Sequence, residues 1–420
     1  MKKCLLAPAL CFFLLMCPAA SPVLAQGTID LTKLNMNEEG LYGYLLYNLN
    51  LTRKDLGSIL SFRLKGDWRP GPHLFFHMEL VNDYRTGNQR PAYLSTLLSG
   101  ATKGTYTNAS DQLNLKIDHL WGLVNLGRMD IQFGKIPLGW GTGYVFNPTA
   151  KTHPVSFLED LSAETPGTLG LLFSYALNDR TAFQVYLAFE DKTRILGPGA
   201  GEWNQIPFGL KVQKIWGAFD LSLSWIREVF YRQEIQNYQR EYYLGGDFAG
   251  AVGDFGVYGE TALHVPRNEE GKFDFSGHRT NDLLEYCVGG DYLFTDAELT
   301  LRWEYYHQGR GVTKKADYNP VKALSAGQLL QAEDYLLVAL EKSFLDYYTL
   351  MFGSLINAND GSFVLLPELN YNAADNLEVV LGSLVPCGEK GSEFNGTWDV
   401  NGGELEILQP SVYVQAKLSF

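Results

Sequence analysis

Arg63 and Lys65, Lys116 and Asp118, and Arg128 and Asp130 are pairs of ionisable residues spaced two apart. That spacing places both members of a pair on one face of a β-strand. Charges of both signs on one wall suit the orienting of water, ions and polar solutes rather than bond cleavage. A second set falls in the connection 137–166, where Trp140 stands among Gly139, Gly141 and Gly143, and Glu159, Asp160 and Glu164 follow. Glycine permits unusual backbone angles there, and Trp140 offers a flat apolar surface. Arg63, Lys65, Lys116 and Arg128 are expected to form a basic stripe. Carboxylates on the loop facing that stripe would set up a transverse field that sorts solutes by charge and dipole. The alternative is a loop packed for stability through Val155, Phe157 and Leu158. Tyr231, Tyr238, Tyr242 and Tyr243 can stack on sugar rings, although tyrosines of this kind also belong to interfacial aromatic belts.

Signals for catalysis are absent from the sequence. It has no H-E-x-x-H, no G-x-S-x-G and no phosphate-binding G-x-x-x-x-G-K-[ST], so no enzyme is expected. The seven histidines are scattered, and neither a metal site nor a cofactor is expected from them. No C-x-x-C-H occurs, which excludes covalently attached c-type haem. A net charge of -13 without a Lys/Arg cluster leaves no footprint for nucleic-acid phosphates. Of the five cysteines, only Cys287 and Cys387 lie beyond the amino-terminal segment, and two free thiols fit them better than a disulfide.

The elements that must carry these residues are strands. Leu113, Leu115 and Ile117 alternate with Asn114, Lys116 and Asp118, and Phe219, Leu221, Leu223 and Trp225 alternate with Asp220, Ser222 and Ser224. No segment after the amino-terminal run holds 18 consecutive apolar residues, so a membrane helix is not offered. Closed barrels are the other structure that crosses a bilayer. The reading is all-β, a transmembrane antiparallel β-barrel of about eighteen strands, with sixteen as the nearest alternative. Strands are expected near 41–52, 58–67, 73–83, 112–121, 126–136, 167–177, 181–190, 206–215, 218–228, 240–249, 254–265, 283–293, 297–308, 334–344, 347–357, 362–372, 376–385 and 408–420. Long connections at 84–111, 137–166, 191–205, 229–239, 266–282, 309–333 and 386–407 alternate with short turns such as Trp216-Gly217. Aromatics including Trp68, Trp121 and Trp216 gather beside the short turns, as in an interfacial girdle.

Met1-Lys2-Lys3, the apolar run Cys4 to Cys17 and Val23-Leu24-Ala25 have the form of an export signal cut after Ala25. The domain reading is therefore residues 1–25 as signal peptide, 26–40 as a periplasmic lead-in and 41–420 as one barrel.

The last strand, Val412-Tyr413-Val414-Gln415-Ala416-Lys417-Leu418-Ser419-Phe420, resembles the assembly signal of Gram-negative outer-membrane β-barrel proteins. Gly127-Arg128, Gly134-Lys135, Trp140-Gly141-Thr142-Gly143 and Asn147-Pro148 resemble a stretch found in several porin-like families, many without an assigned substrate. The resemblance implies a porin-like barrel in the cell outer membrane, with Phe420 read by the barrel-assembly machinery. It also implies a lumen for passive or selective diffusion of small polar or charged solutes, constricted by the loop 137–166. Expected partners are outer-membrane lipid and lipopolysaccharide, with a homo-oligomer or a periplasmic partner left open and no nucleic acid. Two other readings remain at this point: a closed barrel anchoring surface polysaccharide, and the barrel sheath of a transport or electron-transfer complex.

Overall fold

A strand that alternates apolar and polar side chains can pair all its backbone groups with two neighbours and still meet a different environment on each face. The computed structural model describes residues 40–53, 55–89, 112–151, 165–189, 205–232, 237–268, 271–319, 330–395, 397–400, 403–406 and 408–420. In order, the strands are β1 (Gly40–Thr52), β2 (Leu56–Gly71), β3 (Leu74–Thr86), β4 (Gln112–Asn125), β5 (Met129–Pro137), β6 (Gly167–Asn178), β7 (Thr181–Ala188), β8 (Phe208–Trp216) and β9 (Phe219–Arg232). They continue as β10 (Asn237–Val252), β11 (Phe255–His264), β12 (Leu284–Phe294), β13 (Leu299–Gln308), β14 (Asp334–Phe344), β15 (Tyr348–Asn357), β16 (Phe363–Ala374) and β17 (Leu377–Cys387). The series ends with the short β18 (Thr397–Val400) and β19 (Gly403–Glu406), then β20 (Ser411–Ser419).

Eighteen of these form one sheet in which sequential strands pair antiparallel, and β20 joins β17 to β1 to close it. The seam is tight. Gly43 and Phe420 exchange two backbone hydrogen bonds of 2.9 Å, and the Phe420 ring stacks on Phe62 with centroids 6.0 Å apart. Each strand expected from the alternation is present. Two details differ. β9 and β10 run on to Arg232 and Asn237 and pair there, so Tyr231 and Tyr238, expected in the connection 229–239, are strand residues. The connection 386–407 contains the hairpin β18–β19, whose four-residue strands are too short to carry a visible period.

Apolar side chains point outward. Leu115 is 63% exposed and Leu223 68%, whereas Glu79, facing inward, is fully buried. A soluble protein rarely presents so continuous an apolar exterior, but hydrocarbon is the solvent that such a wall fits.

β4 departs from strict alternation. Glu79 pairs with His119 and Leu80 with Ile117, which leaves Asp118 as an extra residue in a β-bulge. Asp118 and His119 are both buried, while Ile117 and Leu120 on either side are exposed. As a result Trp121 leaves the expected outer girdle and turns inward, its ring 5.2 Å from His77 and 5.3 Å from Phe75.

Candidate functional site

β5 is short, and its end sends the chain into the barrel. Ile136, Leu138 and Trp140 pack with Tyr186, Ala188, Ile226, Tyr243 and Ala262, inward residues of β7, β9, β10 and β11. Trp140 stands edge-on to Tyr186 at 4.6 Å, with the Lys211 ammonium 5.7 Å from its ring. The ring lies directly against Gly209, where a Cβ would come within 2.6 Å of it. Only a residue without a side chain fits below the indole.

From there the segment runs on along the wall of β11 to β13, held by two carboxylates. Glu260 of β11 accepts from the Thr142 N–H at 2.9 Å and from the Thr149 N–H and hydroxyl at 2.5 and 2.6 Å. Glu304 of β13 accepts from the N–H groups of Tyr144 (2.6 Å), Val145 (3.1 Å) and Phe146 (2.7 Å). Hydrogen bonds to charged acceptors are the stronger kind, and here they occupy backbone donors of a loop that otherwise has no ladder. Gly141, at φ +123° beside the Glu260 carboxylate, makes the turn that leads into the first grip. Phe146 then lies flat on Tyr306 with centroids 4.3 Å apart, and its carbonyl accepts from the Cys287 thiol. Lys151 donates to Glu285 at 2.6 Å.

Two later loops join this packing. Tyr318, Ala332 and Phe394 share a cluster with Val145, Phe146, Tyr306, Tyr335, Leu355 and Val364. Glu393 sits at its polar edge, accepting from Tyr335 and from Asn357 at 2.7 Å each. Burial raises the Glu393 carboxyl to about 7, against the donors around it that pull it down.

The wall of β2, β3 and β4 is different in kind. The Arg63 guanidinium is 2.6 Å from the Glu79 carboxylate and 3.9 Å from Asp118. Lys65 lies 3.5 Å from Glu79, Lys116 3.2 Å from Asp118, and His119 3.2 Å from Glu79. Arg63 and Lys417 of β20 both approach the ring of Tyr44, at 5.7 and 4.6 Å.

Among the residues singled out from the sequence, the structure thus brings Arg63, Lys65, Lys116 and Asp118 into one mixed-charge cluster and seats Trp140 in the lumen. Arg128 stands apart. It lies in the turn before β5 and donates to the Leu177 carbonyl at 3.3 Å. Asp130, at the same end of the barrel, accepts from Asn125 at 2.6 Å. Glu159, Asp160 and Glu164 lie outside the described residues. Glu260 and Glu304 carry the loop, and neither was singled out as a site residue from the sequence. Their only signal there is a carboxylate at an inward position of an otherwise aromatic and apolar strand, Tyr258-Gly259-Glu260 and Trp303-Glu304-Tyr305.

A closed eighteen-strand antiparallel sheet, apolar outside and charged inside, with a loop tied across its interior, defines the class: a porin-like β-barrel. The chain is similar to solved structures of mutant Rhodopseudomonas blastica porin. One is 12% identical, with 91% of this chain and 99% of that chain covered and a TM-score of 0.44. Another, a triple mutant, is 13% identical over the same shares at a TM-score of 0.43. No protein-family model and no curated protein matches the chain.

Proposed function

We propose that this protein is an outer-membrane channel that passes small polar or charged solutes along the charged wall of β2 to β4, with the segment 138–151 narrowing the lumen. The carrying observation is the grip of Glu260 and Glu304 on that segment, five backbone N–H groups in all. A loop fixed in this way occupies one side of the interior and leaves solutes to the other. Paired charges of both signs on that other side suit polar cargo without demanding one sign. The reading calls for no bond cleavage, and its partners are outer-leaflet lipid and lipopolysaccharide outside the wall and the assembly machinery that reads Phe420.

Incorporation of the purified protein into planar bilayers tests it. Steady single-channel steps whose ion preference shifts with Arg63→Gln are expected. A barrel that inserts but never conducts, with any salt or voltage, overturns the proposal. That outcome would favour the closed barrel that displays loops to surface polysaccharide, a reading supported by the packing of Tyr318 and Phe394 from two further loops onto Phe146 and Tyr335.

A further inference from the structure

We propose that His77, Glu79 and His119 form a binding site for a divalent transition-metal ion of the Zn2+ type on the inner wall of the barrel. One ligating atom of each residue lies within 4.8 Å of the other two. The hydrogen bonds around the cluster fix which atoms those are able to be. His119 Nε2 is 2.9 Å from the Thr165 carbonyl, an oxygen that only accepts, so Nε2 carries the hydrogen. In the neutral ring Nδ1 is then a lone pair, and it lies 3.2 Å from Glu79 Oε2. Two acceptors at that distance require a positive species between them, either a proton or a metal ion. Metal bonds of about 2.0–2.1 Å meeting near the tetrahedral angle span about 3.4 Å between ligand atoms, so the pair is already spaced for an ion.

His77 repeats the arrangement. Its Nδ1 is 2.7 Å from Asp67 Oδ1, which assigns the hydrogen to Nδ1 and leaves Nε2 as the lone pair. Both imidazoles therefore have the outer partner, a carboxylate in one case and a backbone carbonyl in the other, that orients a metal-binding histidine and fixes its tautomer. The ring faces are constrained as well, with His77 stacked on Trp121. Two nitrogens and one carboxylate oxygen suit Zn2+, Co2+ or Ni2+ better than Ca2+ or Mg2+.

The cations nearby set the affinity. Arg63 holds Glu79 Oε1 at 2.6 Å and Lys65 lies 3.5 Å from Oε2. A metal on Oε2 leaves the Arg63 contact in place and moves Lys65 away. Asp67 and Asp118 supply negative charge next to the site, and Lys116 pairs with Asp118. The site is accordingly one of moderate strength, competing with the proton on His119 and with the ammonium of Lys65. It is independent of whether the barrel conducts.

The test is titration of the tag-free, detergent-folded barrel with Zn2+ by calorimetry and with Co2+ by visible absorption, the fold being checked by heat-modifiable migration. One equivalent bound per chain at pH 7.5 is expected, falling at least tenfold in affinity at pH 5.5. Folded His77→Ala and His119→Ala barrels should lose the binding, and Asp67→Asn should weaken it by about 10- to 100-fold through its outer position. Lys65→Gln should tighten it, a gain that misfolding does not produce. No saturable binding by wild type, binding unchanged in the His77→Ala/His119→Ala double variant, or Lys65→Gln no tighter than wild type would each overturn the site.

Discussion

Two parts of the inner wall carry buried glutamates at the same inward register and use them in opposite ways. On β3, Glu79 meets side-chain cations: Arg63, Lys65 and His119 converge on it from neighbouring strands. On β11 and β13, Glu260 and Glu304 meet peptide N–H groups from a loop that comes from the far side of the barrel. A buried carboxylate needs donors, and the source of those donors decides its role. Cations on adjacent strands keep the carboxylate as part of the wall itself. Backbone donors turn it into an anchor, because a peptide chain that satisfies it gives up its own freedom to move.

The contrast can be broken most strongly at the anchors. Replacing both in Glu260→Ala/Glu304→Ala leaves five backbone donors without acceptors, at about 1–3 kcal/mol for each buried group left unmade. The segment 138–151 is expected to leave the wall, with higher single-channel conductance and rapid tryptic cleavage at Lys151. Unchanged conductance and cleavage would mean that the aromatic contacts alone hold it. Next in size is Gly209→Val, which drives a side chain into the Trp140 ring. Overpacking of this kind costs about 1–3 kcal/mol, and loosening of the segment near Trp140 should appear as faster proteolysis while Arg63-dependent ion preference stays the same.

A smaller effect belongs to the charged wall. Removing one full charge by Arg63→Gln alters the energy of an ion about 4 Å away by about 1 kcal/mol in water, roughly fivefold in a permeability ratio. The shift should favour cations, and the loop should keep its resistance to trypsin. A change in trypsin resistance would show that the two walls are coupled. The smallest effect is a pH response of the packed side. With its carboxyl raised to about 7 by burial, Glu393 binds a proton more readily in the folded protein than in the unfolded chain. Its contribution is complete below about pH 4.5 and is lost as pH rises through about 7. Hydrogen-exchange protection at 330–335 and 390–394, taken relative to the intrinsic base-catalysed rate at each pH, should therefore fall from pH 5 to pH 8, and Glu393→Gln should flatten that fall. Asp360, which accepts from the Glu393 N–H, adds to the rise and stays in place in that variant.

Period-two alternation made the wall legible in the sequence because each face of a barrel strand has one solvent, and Leu113, Leu115 and Ile117 declare theirs without ambiguity. The inward direction of Arg63, Lys65 and Glu79 followed from the same rule. What the rule does not contain is partnership. That Glu304 is met by a loop and Glu79 by an arginine depends on contacts between residues about 160 and 16 positions apart, set by closure of the ring. Histidines 77 and 119 looked unrelated for the same reason, although the pairing of β3 with β4 sets His119 directly opposite Glu79. Trp121 was misplaced by a local event: the bulge shifts the phase of β4, and no residue type there signals it.

That one extra residue has a consequence for how such a wall can change. A strand in a closed barrel has a parity, alternate positions outward and inward, and every neighbour is matched to it. Upstream of Asp118 the odd residues of β4 point outward; from Leu120 onward the even ones do. The bulge is therefore a frame correction: deleting a single residue anywhere in the lower half of β4 would turn the rest of the strand inside out, whereas deleting Asp118 itself would leave both halves in frame. Asp118 is the position where this strand can gain or lose length without its neighbours having to follow. It is also why two residues adjacent in the chain, an acid and a histidine, share the same inner face.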